Sequence, residues 1–124
     1  DFRASLETHD VAPTLIKWGR IINISSVWGV AGASCEVAYS SSKSALIGFT
    51  KALAKAVSGK GITVNCVSPG SISATGSSVM KDFSFVGRAG TYEEIANVVL
   101  FVASDEASYV SGQNYLVDGC RKQM

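Results

Sequence analysis

Apolar residues along this chain fall into two kinds of run. Arg20 to Ser25, with Ile21, Ile22 and Ile24, and Ile62 to Val67, with Ile62, Val64, Cys66 and Val67, are short runs rich in apolar residues and read as buried strands, the first covered on both faces. Between them Leu46, Phe49, Leu53 and Val57 recur at helical spacing, which predicts one long helix from Tyr39 to Ser58 with a single apolar stripe. Ser41, Ser44, Ala45, Gly48 and Ala52 on the same helix are small enough to let a sheet or a partner helix come close. Gly59-Lys60-Gly61 stops it. Upstream, Val11 to Lys17 reads as the tail of a helix, limited by Pro13 and ended by Gly19. Downstream, the capping box Thr91-x-x-Glu94 opens a helix from Tyr92 to Ser104, and Asn114 to Val117 is a short final strand. The stretches 27–38 and 70–90, rich in Gly, Ala and Ser, read as connections.

Strand, helix and strand in this order make a βαβ unit, so the two strands are expected to run parallel with a right-handed crossover. The fold class is therefore α/β with a parallel sheet, three strands of which are in view.

Composition narrows the function. With 124 residues and 47% hydrophobic content, the chain suffices for one packed core. A formal net charge of +1 with both signs scattered supplies no basic stripe for nucleic acid and no charged tail for a membrane surface. The apolar runs fall far short of a bilayer span. Cys35, Cys66 and Cys120 are an odd number without metal-ligand spacing, which fits reduced thiols in a cytoplasmic protein. The chain opens on Asp1, without Met, in helix-like sequence, so part of a longer polypeptide is expected.

The candidate chemistry is a Tyr-x-x-x-Lys, Tyr39 to Lys43, with Ser26 thirteen residues before the Tyr and just after an apolar strand. Four residues apart on a helix, phenol and ammonium lie about one turn apart on nearly the same face. The Lys charge is expected to favour the phenolate and bring the Tyr pKa down from about 10 toward neutrality. A hydroxyl at the strand end can hold a carbonyl oxygen beside that phenol. Ligands of open parallel sheets bind outside the carboxyl ends of the strands. Ser26, the Pro69-Gly70 turn and the first turns of the Tyr39 helix all fall at that edge. Taken singly, each has a plainer reading: a surface helix pair, a strand-end hydroxyl, an ordinary turn.

In these stretches the sequence resembles the short-chain dehydrogenases/reductases. They are Gly19-Arg20-Ile21-Ile22-Asn23-Ile24-Ser25-Ser26, Ala38-Tyr39-Ser40-Ser41-Ser42-Lys43-Ser44-Ala45 and Val64-Asn65-Cys66-Val67-Ser68-Pro69-Gly70. Gly87-Arg88, Glu93 to Ala96 and Ser104 to Gln113 continue the likeness. The branch it looks most like contains the bacterial 3-oxoacyl-acyl-carrier-protein reductases. The resemblance implies a Rossmann-like, doubly wound parallel sheet, of which residues 1–124 are the C-terminal part with the last three strands; the dinucleotide-binding half is not among them.

It further implies that Tyr39 is the catalytic acid/base, that Lys43 tunes it and holds the nicotinamide ribose, and that Ser26 orients the substrate carbonyl. Pro69, Gly70 and Ile72 match the turn around the nicotinamide of NADP or NAD. The implied substrate is a small-molecule carbonyl or alcohol, a 3-oxoacyl thioester carried on acyl carrier protein being favoured, in fatty acid biosynthesis. Sugar or polyol dehydrogenases share every motif quoted. The family also implies a cytoplasmic homotetramer assembled through the Tyr39–Ser58 helix and the final helix and strand. From a different class, the chain could be a catalytically incomplete fragment acting only as an oligomerisation element. Alone it would leave a sheet edge unpaired, so a soluble, active monomer is not expected.

Two departures concern the segment after Gly70. The family's Thr five residues after the Pro is Ala74 here, with Thr75 one later. The connection to Gly87 is also shorter than the usual substrate loop, as if a stretch were missing from it. Trp28 and Cys35 are candidates for the substrate wall, with Glu36 beside them, and no nearby base favours Cys35 as a nucleophile. Met80, Phe83 and Phe85 are candidate caps for an apolar substrate. His9 reads as a solvated or core histidine.

Overall fold

A computed structural model describes residues 18–33, 35–76 and 84–122. Its elements are β1 (Gly19–Ile24), α1 (Val27–Ala31), α2 (Val37–Val57), β2 (Ile62–Pro69), α3 (Tyr92–Ala103) and β3 (Asn114–Val117). Single 3₁₀ turns follow α2 at Ser58–Lys60 and α3 at Asp105–Ala107. Three described strands form one parallel sheet in the order β1-β2-β3, with Ile24 opposite Val67 and Pro69 opposite Val117. The expected helix tail at Val11–Lys17, His9, Met80 and Phe83 lie outside the described residues.

β2 is the central described strand and is buried from Ile62 through Ser68, with Ile62, Val64 and Cys66 on one face and Thr63, Asn65 and Val67 on the other. β1 departs from expectation. Its residues are half-buried up to Ile24, which is 45% exposed, because only β2 flanks it among the described strands. The core is Leu53, Ala54 and Val57 of α2 against Ile62 and Val64, with Ile21 and Phe49 packed at its margin. Each large aliphatic side chain buried there contributes about 1.5–3 kcal/mol. Of the expected stripe, Leu53 and Val57 are buried while Leu46 and Phe49 are half-buried. Ser41, Ser44, Ala45, Gly48 and Ala52 are exposed.

Buried polar side chains tie the strands to their surroundings. Asn65 Nδ2 donates to the Val110 carbonyl at 2.9 Å, and its Oδ1 accepts from Gln113 N at 3.1 Å. Ser68 Oγ donates to Asn114 Oδ1 at 2.6 Å. α3 starts on the expected capping box, with Thr91 and Glu94 each accepting from the other's backbone N–H. Arg88 adds a two-pronged ion pair to Glu94 at 2.7 and 2.8 Å. That guanidinium, with the Thr91 N–H, holds the Glu94 carboxyl down at about 2.

Candidate active site

The carboxyl end of β1 turns directly into α1, a helix in a stretch whose Gly and Ala content suggests only a loop. Ser26 is its N-cap: the Oγ accepts from Trp28 N at 3.2 Å. Ser26 is 8% exposed. A hydroxyl has one donor and two acceptor sites, so this bond leaves the Ser26 proton to be given to a carbonyl oxygen. α1 also lies hard against α2. A Cβ on Gly29 would stand 2.8 Å from the Lys43 carbonyl carbon, so a larger residue there would force the two helices apart.

α2 begins two residues before Tyr39, and its cap Glu36 makes no side-chain hydrogen bond to it. Tyr39 is 42% exposed. Lys43, one turn on, touches both neighbours of the site. Its Nζ donates to the Ile24 carbonyl at the end of β1 at 3.2 Å and stands 5.5 Å from the centre of the Tyr39 ring. An ammonium has three donors, so further ones remain for a ligand. Ser25 fixes the backbone below: its Oγ donates to the Lys43 carbonyl at 2.7 Å, and its N–H to Val67 O at 2.9 Å. About two turns further along α2, Asn23 Nδ2 donates to Thr50 Oγ1 at 2.9 Å. The strand end is thus bonded to α2 at Lys43 and Thr50, which sets where Tyr39 stands relative to Ser26.

The second half of the edge follows β2. Pro69 ends the strand, and Gly70 N donates to Val117 O at 3.0 Å. A Cβ on Gly70 would meet Asp118 Cβ at 2.8 Å, so only glycine lets the turn approach β3 this closely. Ile72 pairs with Gly90 in a single parallel bridge, closed by Ser73 N to Gly90 O and Gly90 N to Ser71 O. A cavity of about 100 Å³ lies beside this turn, with Ser71, Arg88, Ile95 and Val117 in its wall.

Trp28 is half-buried, and the Arg121 guanidinium lies 3.9 Å from its ring centre. Cys35 and Glu36 are exposed in the turn before α2, and Phe85 is 71% exposed with the Lys122 ammonium 5.4 Å from its ring. Burial pushes the Cys66 thiol up. The structure therefore brings Tyr39 and Lys43 together at the end of the strand that carries Ser26, on the sheet edge where Pro69, Gly70 and Ile72 follow the adjacent strand. Sequence reading missed α1, the Ser25–Lys43 and Asn23–Thr50 ties, and Arg121. The strand-end polar pair Asn23 and Ser25 inside an apolar run was the available signal for the ties. Among the described residues no cluster of three His, Cys, Asp or Glu could hold a metal, and no helix is long and apolar enough to cross a membrane.

Comparison with known proteins agrees with this fold. Residues 5–120 match a family model described as Enoyl-(Acyl carrier protein) reductase. The chain is 45% identical over 111 residues to the 3-oxoacyl-[acyl-carrier-protein] reductase FabG of Aquifex aeolicus, covering 83% of this chain and 45% of that protein. It is 43% identical over 109 residues to FabG of Escherichia coli, with 82% and 45% covered. Among solved structures, the acetoin dehydrogenase YohF of Salmonella typhimurium superposes with a TM-score of 0.86 at 34% identity, covering 95% of this chain and 48% of that one. A short chain dehydrogenase from Leptospira borgpetersenii with bound NAD+ gives 0.81 at 37% identity, with 95% and 50% covered. The chain spans about half the length of the curated relatives it matches.

Proposed function

The chain belongs to the short-chain dehydrogenase/reductase family, and from that premise we propose that Ser26, Tyr39 and Lys43 are the proton-transfer site of a nicotinamide-dependent carbonyl reductase. The observation that carries this reading is Lys43, bonded to the end of β1 and poised beside the Tyr39 ring. The Ser26 hydroxyl donates to the substrate carbonyl oxygen and fixes its direction. The Tyr39 hydroxyl gives its proton to that oxygen as the carbon is reduced, or takes one from an alcohol in the reverse direction. The Lys43 charge offsets the negative charge left on the phenol.

The close approach of Gly70 to Asp118 leaves Pro69, Gly70 and Ile72 as a turn walled by backbone, which fits the carboxamide end of a dinucleotide, and Lys43 has donors left for a ribose. When bound, NADP or NAD supplies or accepts the hydride at the carbonyl carbon. The likeness to 3-oxoacyl-[acyl-carrier-protein] reductases favours a 3-oxoacyl thioester as the substrate class, with Trp28 and Cys35 as the proposed walls beside it. The exposed small-residue face of α2, Ser41 through Ala52, supports a homotetramer in which a partner helix covers it. A second reading, oxidation of a small polyol-like alcohol, is favoured by the likeness to an acetoin dehydrogenase.

The test is an assay of the intact protein with NADPH and NADH against a short 3-oxoacyl thioester, and with NADP+ and NAD+ against acetoin and a sugar alcohol panel. Thioester-dependent oxidation of the reduced cofactor is expected. Turnover of acetoin or a polyol alone would select the second reading, and turnover of none would refute both.

A further inference from the structure

The mechanism leaves one contact at the site without a role: Arg121 stacked on Trp28, with its guanidinium carbon 3.9 Å from the ring centre. Trp28 is also the residue whose N–H is bonded to Ser26 Oγ. One residue therefore touches the C-terminal segment with its ring and the proposed substrate-orienting hydroxyl with its backbone. α1 is only five residues long, too short to hold its own shape in water. What keeps its first turn on Ser26 must come from outside the helix.

The segment carrying Arg121 is itself anchored. Asp118 Oδ1 accepts from Cys120 N at 3.1 Å, and Cys120 adopts a left-handed backbone with φ of 63°. Phe85 N donates to Cys120 O at 2.9 Å and Val86 N to Gly119 O at 3.1 Å, while Ser84 and Arg121 face each other in an antiparallel bridge. The guanidinium thus projects from backbone bonded to β3's exit on one side and to residues 84–86 on the other.

We propose that Arg121 is a positioning residue for Ser26: stacked on Trp28, it clasps α1 so that the Trp28 N–H stays on the Ser26 hydroxyl. The inference rests on the role given above to Ser26. Arginine suits the task because its planar, weakly hydrated guanidinium stacks on an aromatic face, which a lysine ammonium does less well. The clasp also links the exit of β3 and residues 84–86, beyond the Gly70 turn, to the residue that orients the carbonyl.

The test compares backbone hydrogen exchange over residues 27–31 in the intact protein, its Arg121→Ala and Arg121→Met variants, and Arg121→Lys. Loss of the guanidinium is expected to speed exchange there about two- to fivefold, the size an exposed cation–π contact supports, while β2 amides stay as protected as before. Arg121→Met separates charge from the packing of the stem, and Arg121→Lys should recover part of the protection. In turnover the same variants should lower kcat by a similar factor with little change in KM. Unchanged exchange over 27–31, or exchange that quickens while kcat holds, overturns the proposal. Ser26→Ala keeps the two readings apart: full activity in that variant would remove the role of Ser26, whereas the exchange result judges the clasp whatever Ser26→Ala does.

Discussion

The two halves of α2 do different work. From Thr50 onward the helix buries Thr50, Leu53, Ala54 and Val57, three of them in the core against β2. From Val37 to Ser44 no residue is buried as a whole, although the Ser40 Oγ is shielded from solvent. Val37 is 70% and Tyr39 42% exposed, and the cap makes no side-chain bond. The buried half is held by apolar contact, the exposed half by two bonds to the end of β1, Ser25 to the Lys43 carbonyl and Lys43 to the Ile24 carbonyl. Such a division leaves the Tyr39 hydroxyl reachable without giving up stability, because the packing that fixes the helix begins about three turns away at Thr50.

The comparison breaks down if changes in the exposed half unfold the protein or changes in the buried half act only on turnover. Lys43→Met should show a large functional effect, a fall in turnover of about 10²–10³-fold, the usual cost of losing a placed charge or donor. Its melting temperature should move little, since one strand-end hydrogen bond is lost. Leu53→Ala should do the reverse: about 2–5 kcal/mol of stability lost in denaturant unfolding, with the KM of surviving folded enzyme unchanged.

Thr50→Val probes the border. Thr50 is 1% exposed, accepts from Asn23 Nδ2 and donates to Leu46 O. Losing that acceptor strands the Asn23 amide and should cost about 1–3 kcal/mol, with a measurable drop in kcat because the strand end shifts. The smallest effect lies in α3, whose start, unlike that of α2, is held by a charged cap. The Glu94 carboxyl is depressed from 4.5 to about 2. Its stabilisation is therefore complete above about 4.5 and disappears as pH falls toward about 2. Glu94→Gln should flatten the acid limb of a stability-versus-pH curve, and an unaltered limb would mean that the cap does not carry it.

Where a signal is local, the sequence is readable. Thr91 and Glu94 mark the start of α3 with their own side chains, and β3 spans Asn114–Val117 as its run suggests. The start of α2 is read two residues late because Glu36 offers no capping bond to betray it. β2 extends to Pro69 against Val117, two residues past the apolar run; a proline without an N–H is tolerated at the end of a ladder. The α1 helix has no periodicity to display in five residues, and the groups it packs against, Lys43 on α2 and Arg121, lie far along the chain. Ser26, Tyr39 and Lys43 are legible as a spacing because a βαβ unit converts strand end and helix start into one edge. The bonds that hold them there are long-range, and no pattern along the chain encodes them.

The central claim is that Tyr39 moves the proton while standing outside the packing that stabilises the fold. Tyr39→Phe removes one oxygen from a half-exposed ring, and the measurement is kcat with the favoured thioester set beside the melting temperature of the same preparation. Turnover should fall by about 10²–10⁴-fold with the melting temperature unchanged. A Tyr39→Phe protein that keeps most of its turnover would contradict the account, and so would one that loses turnover only because it no longer folds.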